Sequence, residues 1–406
     1  MTQSSPSAGP PARLAALAGL AASLVGIGFA RFAYTPLLPA LVEDGWFDPS
    51  AAAYLGAANL AGYLLGALGG ARVMRALGPG WATRAMMGLA AASLIACAWP
   101  LGFEWFFVWR LLSGFAGGAV MVAASSLVML QTPAAKRGRA GGLMFTGVGI
   151  GIVFAGAALP WLVEIGLKEA WLTLGGLSLA ITLAAWPLAS DRRLPAPAAP
   201  TPADGAAQPD PKALARALKA VTILYGLCAF GLVPHMVFLV DYVARGLERG
   251  LGEGALIWTL FGVGALIGPM ATGRLADRIG FAAALRWVVA AEAAVVALLL
   301  LSAHPMVIAA SAVIGGMLTP GLVPVTLGRV RELSGDGEAA KAAAWGKATA
   351  GFAVGQAIGA YLLAWVFDLR HDYHLLFQLA IAAPLLGLVL EMTAVRGARR
   401  RAREGA

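Results

Sequence analysis

Charged residues are scarce in this sequence. Only 13% of its 406 residues are Asp, Glu, Lys or Arg, against about 25% in an ordinary soluble domain. Hydrophobic residues make up 59%, where a soluble domain has about 45 to 50%. A soluble fold has no interior large enough for this excess. The composition therefore excludes a water-soluble globular protein.

Residue types that carry chemistry are also few, with two cysteines and four histidines. Cys97 and Cys228 fall in apolar segments, where cysteine behaves as a small apolar residue and predicts no disulfide. The sequence has no Gly-Lys-Ser/Thr phosphate loop, nucleophile elbow or zinc-binding helix. His371, Asp372 and His374 share one short segment, a spacing that rarely holds a metal ion. We expect no enzyme activity, no cofactor and no metal site.

What the sequence does contain is a series of apolar blocks of about twenty residues, the length that crosses a hydrocarbon core roughly 30 Å thick. In lipid, only helices and closed barrels satisfy their own backbone groups, and these blocks lack the alternation of barrel strands. We predict an all-α membrane protein with twelve transmembrane helices. They lie near residues 14–41, 50–73, 81–102, 104–131, 139–163, 168–189, 213–243, 252–275, 281–303, 305–328, 339–367 and 373–395.

The basic residues predict the orientation of these helices. Of the 30 Lys and Arg, 24 fall in one set of loops and tails and four in the other, leaving Arg31 and Arg110 inside predicted spans. The four are Lys168, Arg245, Arg249 and Arg370. Because cytoplasmic loops carry the excess of Lys and Arg, both termini are predicted to be cytoplasmic, in a cell inner membrane. The net charge is +9, but the basic residues are not interleaved with aromatic residues as they are on a nucleic-acid-binding surface. We expect no nucleic-acid partner.

A segment rich in Pro and Ala, residues 194–211, divides the chain and predicts a flexible linker. The predicted organisation is a disordered tail at 1–12, a six-helix bundle at 13–190, a cytoplasmic linker at 191–212, a second six-helix bundle at 213–395 and a basic tail at 396–406. The two bundles are similar in sequence. Gly66 and Arg72 recur 202 positions later as Gly268 and Arg274, and Gly114 recurs as Gly315 at 201. Parallel six-helix repeats are a known transporter architecture.

Three motifs carry a resemblance to a known family. The segment from Gly273 through Asp277 and Arg278 to Gly280, Gly-Arg-Leu-Ala-Asp-Arg-Ile-Gly, resembles the cytoplasmic loop motif of the major facilitator superfamily. Arg110-Leu-Leu-Ser-Gly resembles its fourth-helix motif. The segment 26–39, together with Gly-Phe-Ala-Val-Gly-Gln at 351–356, resembles the YbfB/YjiJ-like group. The likeness extends over about residues 14–395 and implies a transporter working by alternating access, with two pseudo-symmetric bundles around one central cavity.

The sequence departs from the family pattern in two places. The loop after the second span has Met74 where the family usually carries an acid, so only the second-half loop, with Gly273, Asp277, Arg278 and Gly280, is complete as a gating element. The fifth helix has glycines but no Gly-Pro pair of the antiporter type.

The resemblance places the cavity between spans 1, 2, 4, 5, 7, 8, 10 and 11. The predicted lining residues are Arg31, Tyr34, Asn59, Tyr63, Arg110, Tyr225, Gln356 and Tyr361. Arg31 is either a structural residue held by backbone carbonyls and Tyr34 or the group that attracts an anionic substrate, since an unpaired charge at this depth costs at least ~3 kcal/mol. Arg110 either extends to the outer interface or senses charge near the cavity.

Among the other embedded polar residues, His235 is the one we assign to proton coupling, because the ordinary histidine pKa near 6.5 is moved across neutral pH by small environmental changes. The alternative is a hydrogen-bonded core residue. Asp241 and Arg245 are expected to form an i,i+4 ion pair. Lys347 and Glu391 are candidates to neutralise one another, and Glu292 has no evident partner.

Taken together, these features predict a monomeric secondary active transporter of a small organic solute, coupled to protons, with export favoured by the glycine-rich fifth helix. One alternative is a proton-coupled uptake symporter of a small carboxylate or other anion. An alternative of another class is a membrane sensor or scaffold that does not transport.

Overall fold

The computed structural model describes residues 10–133, 137–191, 211–334 and 338–404, and within these ranges the chain is almost entirely helical and contains no strand. The α-helices are α1 Pro10–Ser23, α2 Tyr34–Glu43, α3 Pro49–Leu77, α4 Pro79–Ala96, α5 Phe103–Gln131, α6 Arg137–Ile165, α7 Leu167–Ala185, α8 Pro211–Gly231, α9 Leu239–Asp241, α10 Gly250–Ile279, α11 Phe281–Leu301, α12 Pro305–Leu333, α13 Glu338–Arg370 and α14 Tyr373–Glu404. The all-α membrane fold is confirmed.

Ten helical segments of the described chain are long and apolar enough to cross a membrane. Two of them are composite, Arg13–Glu43 from α1 and α2 and Leu214–Gly246 from α8 and α9. The predicted third and sixth spans correspond to α4 and α7, which have only 18 and 19 residues. Arg84 lies in α4, and Lys168 and Glu169 lie in the first turn of α7. The protein is thus a multi-pass membrane protein, and the full count of twelve spans stays a prediction.

Two helices extend into the predicted tails. Helix α1 begins at Pro10, and proline is well suited to the first turn of a helix because its missing N–H has no intrahelical acceptor there. Helix α14 continues to Glu404, because Ala and Arg have high helix propensity and the helix does not need to stop where the apolar segment ends. The predicted linker lies mainly outside the described residues.

The internal repeat is visible in the helix contacts. Helix α3 packs on α5 as α10 packs on α12. The backbone of Gly62 lies against the carbonyl of Leu111, and the backbone of Gly264 lies against that of Val313, so both partners recur 202 residues on. Gly78 and Gly280, at the ends of α3 and α10, have φ of 80° and 79°, a backbone conformation that favours glycine. These contacts support the two-bundle organisation.

One assignment within the repeat is wrong. The counterpart of Gly114 is Gly316, not Gly315, because Gly114 lies against the Asn59 carbonyl and Gly316 against the Phe261 carbonyl. The offset is then 202, as in the neighbouring contacts. Two consecutive glycines at 315 and 316 made the two registers indistinguishable in sequence.

The first long helical run is interrupted near its middle. Residues Leu24–Phe32 form a wide π-helical segment before α2 begins at Tyr34. Pro36 and Pro39 have no backbone N–H, so the carbonyls of Phe32 and Thr35 lose their usual α-helical donors. The seventh predicted span is interrupted in the same way by π-helical segments at Pro234–Phe238 and Tyr242–Gly246. Interrupted helices of this kind often occur at functional sites.

Among the described residues, the two halves of the chain, α1 to α7 and α8 to α14, contact one another mainly through three pairs of helices. Helix α6 packs on α10, α13 on α3 and α2 on α9. Gly149 and Gly156 of α6 lie against Leu266 and Thr259 of α10. Gly142 is on the same face seven residues earlier, and a side chain there would meet nothing within 4 Å. A side chain at Gly273 of α10 would also meet nothing within 4 Å. Helices α6 and α10 therefore leave open space between them toward the end where α6 begins and α10 finishes, which we call the basic end after its arginine-rich loops.

Candidate functional site

A single backbone carbonyl organises the centre of the first half. Ala30 lies in the π-helical segment, and its carbonyl oxygen accepts hydrogen bonds from Arg110 Nη1 at 2.9 Å and from Ser113 Oγ at 2.9 Å. Asn59 Nδ2 donates to the same oxygen at 3.3 Å and to the Arg110 carbonyl at 3.2 Å. The interrupted helix thus supplies an acceptor that holds side chains from α3 and α5.

The Arg110 side chain is directed into the protein and is 1% exposed. Its guanidinium carbon lies 4.2 Å from the centre of the Tyr34 ring, an arrangement that stabilises a cation through the negative ring face. The Tyr34 hydroxyl donates to the Ala52 carbonyl at 2.7 Å. Arg110 does not extend to the outer interface, because the Ala30 carbonyl and Tyr34 provide partners inside.

Arg31, one residue after that carbonyl, has different surroundings. Its guanidinium carbon lies 5.1 Å from the ring centres of both Phe32 and Tyr63. Its one hydrogen-bond acceptor is the Met236 sulfur, 3.4 Å from Nη2, and a thioether is a weak acceptor. The carbonyl and tyrosine partners considered for Arg31 belong to Arg110 instead. Arg31 is only partly buried, at the junction of the two halves.

Met236 joins the two halves at this level. Its backbone carbonyl accepts from Thr35 Oγ1 at 2.5 Å, which fixes α2 to the π-helical segment of the other half. Its sulfur also lies 3.7 Å from Gln356 Nε2. The Gln356 side-chain oxygen is buried without a partner. Three helical segments from both halves therefore meet around the Met236 side chain.

Neither Arg31 nor Arg110 has a negative partner among the described residues. The ion pairs among the described residues are Arg245 with Asp241, Arg249 with Glu253, Arg286 with Glu391, and Arg329 with Glu332. Arg31 and Arg110 take part in none of them. Two uncompensated positive charges within the membrane-spanning part make the site electropositive, and Arg31 is the one whose neighbours leave its charge available.

Comparison with known proteins identifies the family. A family model described as an uncharacterised MFS-type transporter YbfB matches residues 23–392. The chain belongs to the major facilitator superfamily. It is a membrane transporter of the YbfB type, as the loop and helix motifs indicated. A gallate transporter from Pseudomonas putida is 30% identical over 273 residues, which cover 60% of this chain and 61% of that protein. The chain thus spans about three fifths of the relative's length.

Two predicted cavity residues, Tyr225 and Tyr361, pack against other aromatic residues. Tyr225 packs on Phe352 with ring centres 4.5 Å apart and on Trp345 at 5.9 Å. The Tyr361 ring centre lies 6.5 Å from that of Tyr54, where α3 and α13 are in contact. The structure brings Arg31, Tyr63 and Gln356 together around Met236, and Tyr34, Asn59 and Arg110 together around the Ala30 carbonyl.

His235 lies in the interior of the second half. Its Nε2 is 2.9 Å from Ser311 Oγ, and the Ser311 hydroxyl donates to the Val295 carbonyl at 2.9 Å. The Ser311 hydroxyl thus lies within hydrogen-bond distance of both His235 and the Val295 carbonyl. Glu292 on α11 is 2% exposed, contacts the Cys228 thiol and has one carboxyl oxygen without a partner.

The gating loop is at the basic end. Asp277 and Arg278 are exposed, and neither forms a hydrogen bond or ion pair with a described residue. A side chain at Gly273 would meet nothing within 4 Å, and Gly280 connects α10 to α11. The internal repeat predicts that Asp277 faces the start of the fifth span, with Lys136, Arg137 and Arg139, when this end closes. Lys136 lies outside the described residues.

Two expected ion pairs have different outcomes. Asp241 and Arg245 do form a two-bond pair, at 2.5 and 2.9 Å, and the Tyr373 hydroxyl donates to Asp241 at 2.6 Å. Glu391 does not pair with Lys347. It accepts two hydrogen bonds from Arg286, at 2.9 and 3.0 Å, because α11 and α14 are adjacent.

Sequence reasoning missed three residues of the site. Met236 is apolar and carries no signal of a polar site, although Pro234 two residues earlier indicates a break in its helix. Thr35 precedes Pro36, which marks the corresponding break in the first span. Ser113 lies in the arginine motif but has no distinctive spacing.

Proposed function

We propose that this superfamily member is a secondary transporter of a small aromatic carboxylate, working by alternating access with twelve spans in two bundles. The observation that carries the proposal is the Arg31 guanidinium, which is partly buried at the junction of the halves with a thioether as its one hydrogen-bond acceptor. A carboxylate is the group that best complements an arginine, through paired charge-assisted hydrogen bonds.

The aromatic part of the substrate is inferred from the rings around Arg31. Phe32 and Tyr63 flank the guanidinium, and Phe32 in turn lies 6.0 Å from Trp258 of the other half. Trp258 stacks on Phe261 with ring centres 4.8 Å apart. Aromatic walls favour a flat apolar ring next to the carboxylate. Gallate, a hydroxylated benzoate, has this combination, and the similarity to a gallate transporter supports it as the first compound to test.

The direction of transport and the need for a coupling ion both depend on the charge of the substrate. Moving one negative charge inward against a potential of 100 mV costs about 2.3 kcal/mol, so uptake of an anion requires a co-transported cation. Export of the same anion requires none. The second half holds two buried titratable groups without a counter-ion, His235 and Glu292. We therefore propose proton-coupled uptake in the inner membrane, with the basic end facing the cytoplasm.

Export of an organic solute is the second candidate. The observation that favours it is the glycine series of α6, which allows Gly149 and Gly156 to approach α10 closely and so resembles the sliding interface of an exporter. An exporter of neutral or cationic compounds would make no use of Arg31.

Binding to the purified protein tests the proposal. A bound ligand raises the melting temperature, because it stabilises only the native state, by about 2.7 kcal/mol at a concentration of 100 times Kd. Gallate, 4-hydroxybenzoate and benzoate are compared with the matched amides. We expect stabilisation by the acids only, and none in Arg31→Gln. Stabilisation by amides or cationic drugs instead of the acids would contradict an anion site.

A further inference from the structure

The Met236 sulfur is shared by two donors from opposite halves of the molecule. Arg31 Nη2 lies 3.4 Å from it and Gln356 Nε2 lies 3.7 Å from it. A thioether is a weak acceptor, whereas hydrogen bonds to an ionised acceptor are shorter and about twice as strong as neutral ones. Both donors therefore have a poorer partner than a carboxylate oxygen would be.

The backbone and side chain of Met236 differ in how firmly they are held. Thr35 holds the Met236 carbonyl at 2.5 Å, so the backbone is fixed to the first half. The side chain beyond it has three rotatable bonds and a flexible, polarisable end. The sulfur can leave its position while the contact between the halves persists.

We propose that the Met236 sulfur occupies the carboxylate position of the empty site and is displaced by the substrate. One substrate oxygen then accepts from Arg31 of the first half, and the carboxylate also accepts from Gln356 of the second half. Gln356 is thus a second carboxylate-binding residue, and Met236 competes with the substrate. This inference rests on the proposed function, because it takes the carboxylate from it.

The arrangement has a consequence for transport. Each half contributes one donor to the same carboxylate, so the bound substrate connects the halves at the level where they already meet. Loss of Gln356 leaves the substrate bound to the first half alone. Loss of the Met236 sulfur leaves the two donors without an acceptor in the empty site.

Calorimetric titration of 4-hydroxybenzoate into the purified protein tests these roles. The variants are Gln356→Leu, Gln356→Glu and Met236→Leu, with Met87→Leu as the control, since Met87 is buried in the first half without a polar contact. We expect Kd about tenfold higher or more in Gln356→Leu, from the loss of a bond to a charged group. Gln356→Glu places a second anion there and should abolish binding at neutral pH. In Met236→Leu Kd should fall severalfold.

The control should bind as the unaltered protein does. The melting temperature of each ligand-free variant establishes that it is folded, and Gln356→Glu, which preserves side-chain size, replaces Gln356→Leu if the latter does not fold. If Arg31→Gln abolishes binding while Gln356→Leu, Gln356→Glu and Met236→Leu all bind within twofold of the unaltered protein, the displacement is wrong and the anion site stands. If the unaltered protein binds no aromatic acid, the proposed function fails and this inference fails with it.

Discussion

At the scale of single residues, two arginines that both lie inside predicted spans have different surroundings in the structure. Arg110 donates from Nη1 to the Ala30 carbonyl and lies on the Tyr34 ring, with its Nε buried and without a partner among the described residues. These contacts make it a residue that holds the interrupted helix. Arg31 is left with Met236 and two aromatic rings. An unpaired charge in the membrane is unfavourable for both arginines. A backbone carbonyl partners Arg110, and we propose that the substrate partners Arg31.

Replacing Arg31 by lysine separates charge from geometry. Lysine keeps the positive charge but loses the planar fork that binds both carboxylate oxygens. We expect Arg31→Lys to bind aromatic acids about tenfold more weakly, in keeping with the loss of one charge-assisted hydrogen bond. Calorimetric titration measures this change. Equal affinity in Arg31→Lys would show that charge alone suffices.

We propose His235 as the proton-coupling residue, with Glu292 as the other buried group of the second half that has no counter-ion among the described residues. We expect His235→Gln to abolish accumulation driven by a pH gradient and to leave substrate exchange intact, since exchange moves no net proton. Counterflow and gradient-driven uptake in proteoliposomes measure the two activities. Normal pH-driven uptake in His235→Gln, together with its loss in Glu292→Gln, would move the assignment to Glu292.

How far the site was predictable depended on the residue type. Arg31, Tyr63 and Gln356 were found because polar groups inside a span are costly and therefore informative. Met236 was not, because a methionine in an apolar helix carries no such signal, and only Pro234 indicates a break there. The backbone carbonyl and Tyr34, considered as partners of Arg31, lie against Arg110 instead, because the sequence does not give the contacts between the first span and α5.

At the scale of helices, the repeat was predictable from glycines because close backbone approach leaves room for no other residue. Gly62 and Gly264 face carbonyls 202 residues apart. The counterpart of Gly114 could not be predicted in this way. Two glycines are adjacent at 315 and 316, and only the helix contacts decide which of them corresponds to Gly114. The π-helical segments were not predictable, because prolines mark a break without giving its geometry.

The loop with Asp277 is predicted to close the basic end. In the structure Gly142 of α6 and Gly273 of α10 face open space at that end, and Asp277 is exposed without a partner among the described residues. When the end closes, Asp277 is expected to meet the start of α6, where a carboxylate gains about 0.3 to 1 kcal/mol from the helix dipole when exposed and up to about 2 when partly buried. Met74 supplies no second acid in the first half. Asp277→Asn should shift the equilibrium severalfold toward the conformation open at the basic end, because ~1.4 kcal/mol corresponds to a factor of ten.

Spin labels at Leu143 and Met270 measure this shift. Both side chains are exposed, near the ends of α6 and α10 that separate. The buried Cys97 and Cys228 are first replaced by alanine. We expect longer distances to be more populated in Asp277→Asn than in the same background with Asp277. Identical distributions would contradict the closing contact.

At the scale of the whole molecule, the orientation is predicted from the distribution of 24 and four basic residues. A cysteine introduced at Gly205, in the predicted linker, should react with a membrane-impermeant reagent only after the cytoplasmic side is exposed. Inverted vesicles and intact cells provide the two sides. Labelling in intact cells would contradict the predicted orientation. It would also contradict the proposal that the basic end faces the cytoplasm.

The central claim is that Arg31 binds the carboxylate of a transported aromatic acid. Proteoliposomes with an acidic exterior and labelled 4-hydroxybenzoate test it most directly, with 4-hydroxybenzamide and the Arg31→Gln variant as controls. We expect accumulation of the acid by the unaltered protein, no accumulation by Arg31→Gln and no transport of the amide. Accumulation by Arg31→Gln at the rate of the unaltered protein would contradict it.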